Sequence, residues 1–178
     1  MRTDGTRIIR HIAGYAVGIF LFLVLIPFGL YWLSVVTAPY PPLAVTGHEA
    51  ARAVISIPLF VAGIVFMAWS NIDLFRIGKG GPTDGLGVTI SPRSQHLVVV
   101  GPYRYCRNPM VFGAYALYFA IAAALGSVAG TLVLVLFVGI SIIYLKRTEE
   151  RRLERDFGEE YRAYRRRVSM LLPLPPKK

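Results

Sequence analysis

Residues 109–145 read PMVFGAYALYFAIAAALGSVAGTLVLVLFVGISIIYL, a stretch of 37 positions without Asp, Glu, Lys or Arg. A helix crosses the hydrocarbon core of a bilayer with about 20 residues, so this stretch is too long for one span. Five small or turn-compatible residues, GSVAG at 126–130, interrupt it near the middle. The stretch therefore predicts a membrane hairpin made of two short helices.

Two further uncharged windows lie nearer the N-terminus. Ile12–Val36 covers 25 residues and Ala53–Ile72 covers 20, and each is long enough for one span. Pro27 and Pro58 fall inside them, where neighbouring helices satisfy the freed carbonyls, so we expect kinks and not breaks. With 54% hydrophobic residues in 178 and a mean hydropathy of +0.52, the sequence predicts an all-α membrane protein with about four transmembrane helices.

The basic residues predict the orientation. If these four spans are correct, 19 of the 20 Lys and Arg residues fall on one side of the membrane, with Arg52 the exception. The positive-inside rule then places both termini in the cytoplasm. The formal net charge of +10 is accounted for by this topology and by attraction to anionic lipid headgroups, and it is no indication of nucleic-acid binding.

Several kinds of chemistry are disfavoured. The single Cys106 excludes an intramolecular disulfide and a cysteine-based zinc site, and it is expected to be a small residue in a cytoplasmic loop. The three histidines form no i, i+4 pair, so no metal site is predicted. GKGGPTDGLG, residues 78–87, lacks the Gly-Lys-Ser/Thr of a phosphate-binding loop and is expected to be a flexible connector.

The polar chemistry is therefore expected on the cytoplasmic face. We divide the chain into N-terminal transmembrane helices, 1–72, and a core, 73–178, that contains a cytoplasmic loop, the hairpin and a C-terminal helix. The predicted site lies between the 73–108 loop and that C-terminal amphipathic helix.

The loop ends in GPYRYCRNPM, residues 101–110. Asn108 is a favourable N-cap and Pro109 a favourable first helical residue, so these two positions have a purely structural interpretation. That interpretation leaves four residues beside a helix N-terminus, where unpaired amides and the helix dipole favour an anionic group: Tyr103, Arg104, Tyr105 and Arg107.

The tail carries the opposite charge. Leu153, Phe157, Tyr161, Tyr164 and Val168 recur at spacings of three and four, which predicts an amphipathic helix, and Gly158 permits a bend in it. The acidic doublet of Glu149 and Glu150 lies at its start. Taken alone, Glu149 would pair with Arg152 one turn further on in a solvated salt bridge. An acidic doublet facing an arginine-tyrosine cluster instead suits a zwitterionic ligand.

Together these motifs resemble a known family. GPYRYCRNPM, followed about 40 residues later by EExxLxxxFGxxYxxYxxxV (149–168) and a terminal Leu-Pro, is similar to the integral membrane methyltransferases that include isoprenylcysteine carboxyl methyltransferases and phospholipid methyltransferases. The resemblance covers roughly residues 74–173. Many relatives have His at the position of Asn108 and an aromatic residue at that of Val111, which leaves the methyl acceptor open.

The resemblance implies that S-adenosylmethionine binds on the cytoplasmic side while a lipid-like substrate enters from the bilayer. The matching cofactor positions are Gly101, Tyr103, Arg104, Arg107, Asn108, Pro109, Glu149, Glu150 and Tyr161. Arg107, Asn108 and Arg104 are the positions expected to take part in the reaction.

The residue chemistry is compatible with this. A carboxylate such as Glu150 can bind the cofactor's ammonium, an arginine can bind its carboxylate, and tyrosines can stack on adenine or face the sulfonium. Methyl transfer needs alignment of two reactants more than acid-base groups, so no Ser-His-Asp set is required.

The expected acceptor is the carboxylate of a prenyl-cysteine-type or other lipid-tailed acid, which is ionised at neutral pH and needs no base. Two alternatives remain open. One is a phospholipid or small-amine N-methyltransferase, and the other is a non-catalytic membrane subunit.

Overall fold

The computed structural model describes residues 20–40, 48–79, 84–85, 88–89 and 95–177. Most of these residues lie in five helices, α1 (Leu21–Thr37), α2 (Glu49–Arg76), α3 (Pro109–Ala124), α4 (Val128–Arg147) and α5 (Glu149–Arg167). Between α2 and α3 lie a 3₁₀-helix, Gly101–Arg104, and an antiparallel ladder of two two-residue strands, β1 (Asp84–Gly85) and β2 (Val88–Thr89). The predicted helical architecture is confirmed for the described residues. Strand β1 lies within the stretch expected to be a connector, and β2 lies just after it.

The first predicted span begins outside the described residues, and its described part forms α1. Its first turn, Leu21–Leu25, is a π-helix in which the Ile26 amide donates to the Leu21 carbonyl. In the same i to i+5 pattern, the Phe22 carbonyl would accept a hydrogen bond from the amide of residue 27. That residue is Pro27, which has no N–H. The Tyr118 hydroxyl of α3 donates to this carbonyl at 3.0 Å. The proline is thus accommodated by a neighbouring helix.

The second predicted span, Ala53–Ile72, lies within the 28 residues of α2, and Pro58 does not interrupt that helix. Helices α2 and α3 pack closely through glycine. A Cβ atom added at Gly63 would lie 2.9 Å from the Gly113 carbonyl oxygen, and one added at Gly113 would lie 2.8 Å from that of Gly63. Small residues at such crossings let helix backbones approach within a membrane.

The predicted hairpin has the expected form. Helix α3 ends at Ala124, Gly126 adopts φ +62°, and α4 begins at Val128. The Ser127 hydroxyl caps α4 by accepting a hydrogen bond from the Gly130 amide at 3.0 Å. Tyr118 and Ala122 of α3 pack with Leu134 of α4 and Leu30 of α1 in one buried cluster.

Among the described residues, two helices are long and apolar enough to cross a membrane. One is α2. The other is the continuous helix Val128–Arg167, whose apolar part is α4 and whose polar part is α5. Helices α1 and α3 are apolar but shorter in the described residues. Leu132, Leu136 and Phe137 of α4 are 59%, 63% and 51% exposed, and α1 and α2 expose similar side chains. Such a contiguous apolar surface is typical of contact with lipid. Four spans and cytoplasmic termini remain predictions.

Candidate functional site

The motif segment 101–110 is held in place by the C-terminal tail. The Arg107 amide donates to the Ser169 carbonyl at 2.9 Å and the Asn108 amide to the Met170 carbonyl at 3.1 Å. The Leu174 amide donates back to the Tyr105 carbonyl at 3.1 Å. The tail therefore pairs with the motif as a short strand would, across more than 60 residues of sequence.

Asn108 stands at the predicted end of the helix but does not make the predicted capping hydrogen bond. It occupies the N-cap position of α3, and Pro109 is the first helical residue, as expected. Its side chain does not cap the helix, because its amide nitrogen donates to the Met170 carbonyl at 3.0 Å. Asn108 thus holds the tail against the motif. Cys106, expected to be an ordinary loop residue, is 0% exposed at this junction.

A buried ion pair connects the motif to α5. Nη1 of Arg107 lies 2.5 Å from Oε1 of Glu150, and the two side chains are only 9% and 8% exposed. Oε1 nevertheless accepts no well-aligned hydrogen bond from the described residues, so charge and not hydrogen-bond geometry holds the pair. Nη1 also donates to the Tyr161 hydroxyl at 3.5 Å. Arg107, Glu150 and Tyr161, which the sequence assigned to one site, do lie together.

The bend at Gly158 makes this arrangement possible. Gly158 has φ +53° and ψ −124°, which are not helical values. On the two sides of the bend, Oε1 of Glu154 lies 2.7 Å from Nε of Arg162, and its Oε2 lies 3.2 Å from Nη1 of Arg165. In a straight helix, residues 11 apart are separated by about 16 Å along the axis. The predicted bend is confirmed, and it brings Glu150 and Tyr161, also 11 apart, to one guanidinium.

The apolar stripe of α5 packs as its spacing predicts. Tyr161, Tyr164 and Val168 form a buried cluster against which Leu153, Phe157 and Leu97 pack. The Tyr164 hydroxyl donates to the Tyr103 carbonyl at 2.6 Å, which fixes the 3₁₀ turn of the motif. Burial, followed by the nearby charge of Glu150, raises the pKa of Tyr161 to about 12. Its phenol is therefore neutral at physiological pH.

Tyr103 lies among acidic groups. Burial is the main cause that raises the pKa of its hydroxyl, and Cys106, Glu149 and Asp73 add to the shift in that order. Glu149 also pairs with Arg152 at 3.2 Å, so the salt bridge considered for it from the sequence is present. Two carboxylates from different helices, Asp73 of α2 and Glu149 of α5, thus lie near one tyrosine.

Gly101 identifies two residues that the sequence did not suggest. It has φ +58°, and a Cβ atom there would overlap Oδ2 of Asp73 and lie 2.9 Å from Nε1 of Trp69. Only glycine allows the motif backbone this close to both side chains. The sequence does contain one signal for these residues, because Trp69 and Asp73 lie one helical turn apart at the end of an apolar span. Nothing in the sequence, however, indicates that they contact residue 101.

Arg104, which the sequence assigned to the site, and Glu159, which it did not, both lie apart from the ion pair. Arg104 is exposed at the end of the 3₁₀-helix. Glu159, beyond the bend, is exposed and pairs with Arg162 and Arg166 at 3.2 and 3.1 Å. No group of three or more potential metal ligands occurs in the described parts of the chain.

These observations define a class, a helical membrane protein with a polar site between a motif segment and a bent C-terminal helix. A family model described as "Phospholipid methyltransferase" matches residues 51–160, which is more than half of the chain. The protein belongs to the phospholipid methyltransferase family, and this membership implies a membrane methyltransferase. The match includes all but the first two residues of α2, and the motif, the hairpin, Glu149 and Glu150. No curated protein and no solved structure matches the chain.

Proposed function

We propose that the protein transfers a methyl group from S-adenosylmethionine to a lipid-tailed acceptor, with the cofactor bound between the motif segment and α5. The observation that carries this proposal is the buried Arg107–Glu150 pair beside Tyr161. A cation next to an anion complements the carboxylate and ammonium of an amino acid, because charge-assisted hydrogen bonds form to both. The methionine part of the cofactor carries those two groups.

The unsatisfied atoms of the pair support this fit. Nε of Arg107 is buried and has no hydrogen-bond partner among the described residues, and Oε1 of Glu150 accepts no aligned hydrogen bond from them. Buried polar atoms in native proteins are nearly always satisfied, so these are positions where a ligand would bond. Arg107 would hold the carboxylate of the cofactor and Glu150 its ammonium. Tyr161 is only 1% exposed, so its ring has little surface for a ligand. Tyr103 is therefore the better candidate to stack on the adenine of the cofactor.

The charges around Tyr103 also suit the cofactor. Asp73, Glu149 and Glu150 carry three negative charges, and Arg107 and Arg152 carry two positive charges, so the balance of −1 favours a cationic ligand. S-adenosylmethionine supplies a methyl group that its sulfonium has already activated. The chain's own residues then need mainly to align the reactants and exclude water.

The charges left over by the cofactor support one class of acceptor. A carboxylate acceptor needs a cation to orient it, but Arg107 is paired with Glu150 and is assigned here to the carboxylate of the cofactor. Asp73, whose carboxylate lies against Gly101, would accept a hydrogen bond from the neutral amine of an acceptor and so orient it. We therefore infer an amine-bearing phospholipid headgroup as the acceptor. A prenyl-cysteine-type carboxylate is the second candidate, which the exposed Arg104 favours.

Cofactor binding is tested with S-adenosylhomocysteine and the full chain in detergent. A ligand that binds only the folded state at 100 times its Kd stabilises that state by about 2.7 kcal/mol, so the melting temperature should rise with ligand concentration. A non-catalytic membrane subunit would show neither this rise nor heat of binding in calorimetry.

The acceptor is tested by the pH dependence of methyl transfer. An amine with a pKa near 10 makes kcat/KM rise about tenfold per pH unit between roughly pH 6 and 8, whereas a carboxylate gives a flat profile. Asp73→Asn should slow transfer to phosphatidylethanolamine and leave S-adenosylhomocysteine affinity almost unchanged. A flat profile with a farnesylated cysteine analogue would instead establish the second candidate.

A further inference from the structure

A second polar feature lies at the elbow between α4 and α5. It is a cleft of about 770 Å³ lined by five arginines, two glutamates, Tyr144 and Thr148. One of the two glutamates is Glu149, so the cleft borders the candidate methyltransferase site. Neither Arg107 nor Glu150 lines the cleft.

The carboxylates of this cleft are already engaged. Glu149 pairs with Arg152 at 3.2 Å, and Glu154 pairs with Arg162 at 2.7 Å. The three other arginines, Arg147, Arg151 and Arg155, form no ion pair with a carboxylate of the described residues. Five guanidinium groups against two carboxylates leave a net charge of +3.

The position of the cleft indicates its ligand. Helix α4 has 20 residues, so it is about 30 Å long, which equals the thickness of a bilayer's hydrocarbon core. Tyr144 and Arg147, in its last turn, line the cleft. Tyrosine and arginine at the end of an apolar helix are typical of the membrane interface. The cleft therefore opens at the level of the lipid headgroups.

We propose that this cleft binds the phosphate of an anionic membrane lipid. Guanidinium groups bind phosphate oxygens with paired hydrogen bonds, and arginine is the residue best suited to that geometry. A charge of +3 complements a headgroup with net negative charge better than a zwitterionic one, so this lipid is distinct from the methyl acceptor. The proposal does not depend on the methyltransferase function, because it rests on Arg147, Arg151 and Arg155, to which the cofactor site assigns no role.

The test is native mass spectrometry of the full chain, purified in detergent and incubated with equimolar phosphatidylglycerol and phosphatidylcholine. We expect one preferentially retained phosphatidylglycerol on the unaltered protein. Arg151→Gln/Arg155→Gln should weaken this retention about thirtyfold, because each basic side chain near an anionic headgroup contributes about a fivefold factor. Arg151→Lys/Arg155→Lys should keep most of it.

The matched control is Arg166→Gln/Arg167→Gln, which removes the same charge from exposed positions of α5 outside the cleft. Its retention should equal that of the unaltered protein. Equal retention of the two lipids, or equal losses in the two glutamine double variants, would overturn the proposal. Displacement by inorganic phosphate at the same concentration as the lipid would show that the cleft binds free phosphate, which would also overturn it.

Discussion

Replacing Glu150 with glutamine tests the buried ion pair. It removes one charge from a pair whose side chains are 9% and 8% exposed, and so leaves the Arg107 guanidinium without its carboxylate. Removing one partner of a buried pair costs about 3–5 kcal/mol of stability. At roughly 2–4 °C per kcal/mol for a chain of this size, the melting temperature should fall by about 6–20 °C.

The same substitution should weaken cofactor binding. A hydrogen bond to a charged group contributes about 1.5–3 kcal/mol, so the Kd of S-adenosylhomocysteine should rise roughly 10- to 150-fold. The assay is isothermal calorimetry at constant pH and ionic strength, with the melting temperature recorded on the same samples. The matched control is Glu159→Gln, because Glu159 also pairs with arginines but is 67% exposed, and neither quantity should change measurably.

A double variant separates the structural role from the binding role. Arg107→Met/Glu150→Leu replaces the pair with apolar side chains of similar volume, an exchange that is often neutral or stabilising. It should recover most of the stability lost in Glu150→Gln and none of the affinity. If the double variant bound S-adenosylhomocysteine as well as the unaltered protein, or if Glu159→Gln weakened binding as much as Glu150→Gln, the cofactor role of the pair would be refuted.

Three further predictions concern the backbone and the buried titratable groups. Gly158→Ala should cost about 1–3 kcal/mol of stability and weaken S-adenosylhomocysteine binding, because the φ of +53° at this position disfavours residues other than glycine. The control is Gly139→Ala, which should cost no stability; at both positions an added Cβ atom would have no neighbour within 4 Å. Equal melting temperatures of the two variants would contradict the prediction. Burial raises the pKa of the Cys106 thiol to about 12. At pH 8, Cys106 of the folded protein should therefore react with maleimide about 10³-fold more slowly than an exposed thiol does. Fast labelling would contradict this, because it would show that the thiol is accessible. Burial raises the folded-state pKa of Tyr161 from its ordinary value of 10.0 to about 12, so its contribution to the free energy of unfolding is full below pH 10 and declines as the pH rises to 12. Tyr161→Phe should reduce that decline in a pH series of denaturant titrations, and an unchanged decline would contradict the assignment.

Much of the fold could be predicted from the sequence because its signals are local. Uncharged windows indicate α2 and the hairpin without knowledge of any partner, since helix length and bilayer thickness are matched. The stripe ending at Val168 and the bend at Gly158 likewise follow from spacing and from one residue's backbone freedom. Glu150 was recognised as a ligand candidate from its place in the acidic doublet.

The contacts that complete the site were not predictable in the same way. Asn108 has a good N-cap sequence context, but its side chain bonds Met170, and no local pattern signals a contact 62 residues away. Arg104 and Arg107 look equivalent in the sequence, and only the fold makes one buried and the other exposed. The approach of Asp73 to Gly101 depends on how α2 ends relative to the motif, which is a tertiary property.

The central claim is that this membrane protein methylates a lipid at the site built around Arg107 and Glu150. The most direct measurement is transfer of radiolabelled methyl from S-adenosylmethionine by the purified full chain to a panel of phosphatidylethanolamine, farnesylated cysteine analogues and short thiols. We predict label in the organic-phase product of phosphatidylethanolamine, rising with pH from about 6 to 8, and a loss of that label in Glu150→Gln but not in Glu159→Gln. Label that appeared in no lipid-tailed acceptor, or that was unaffected by Glu150→Gln, would contradict the claim.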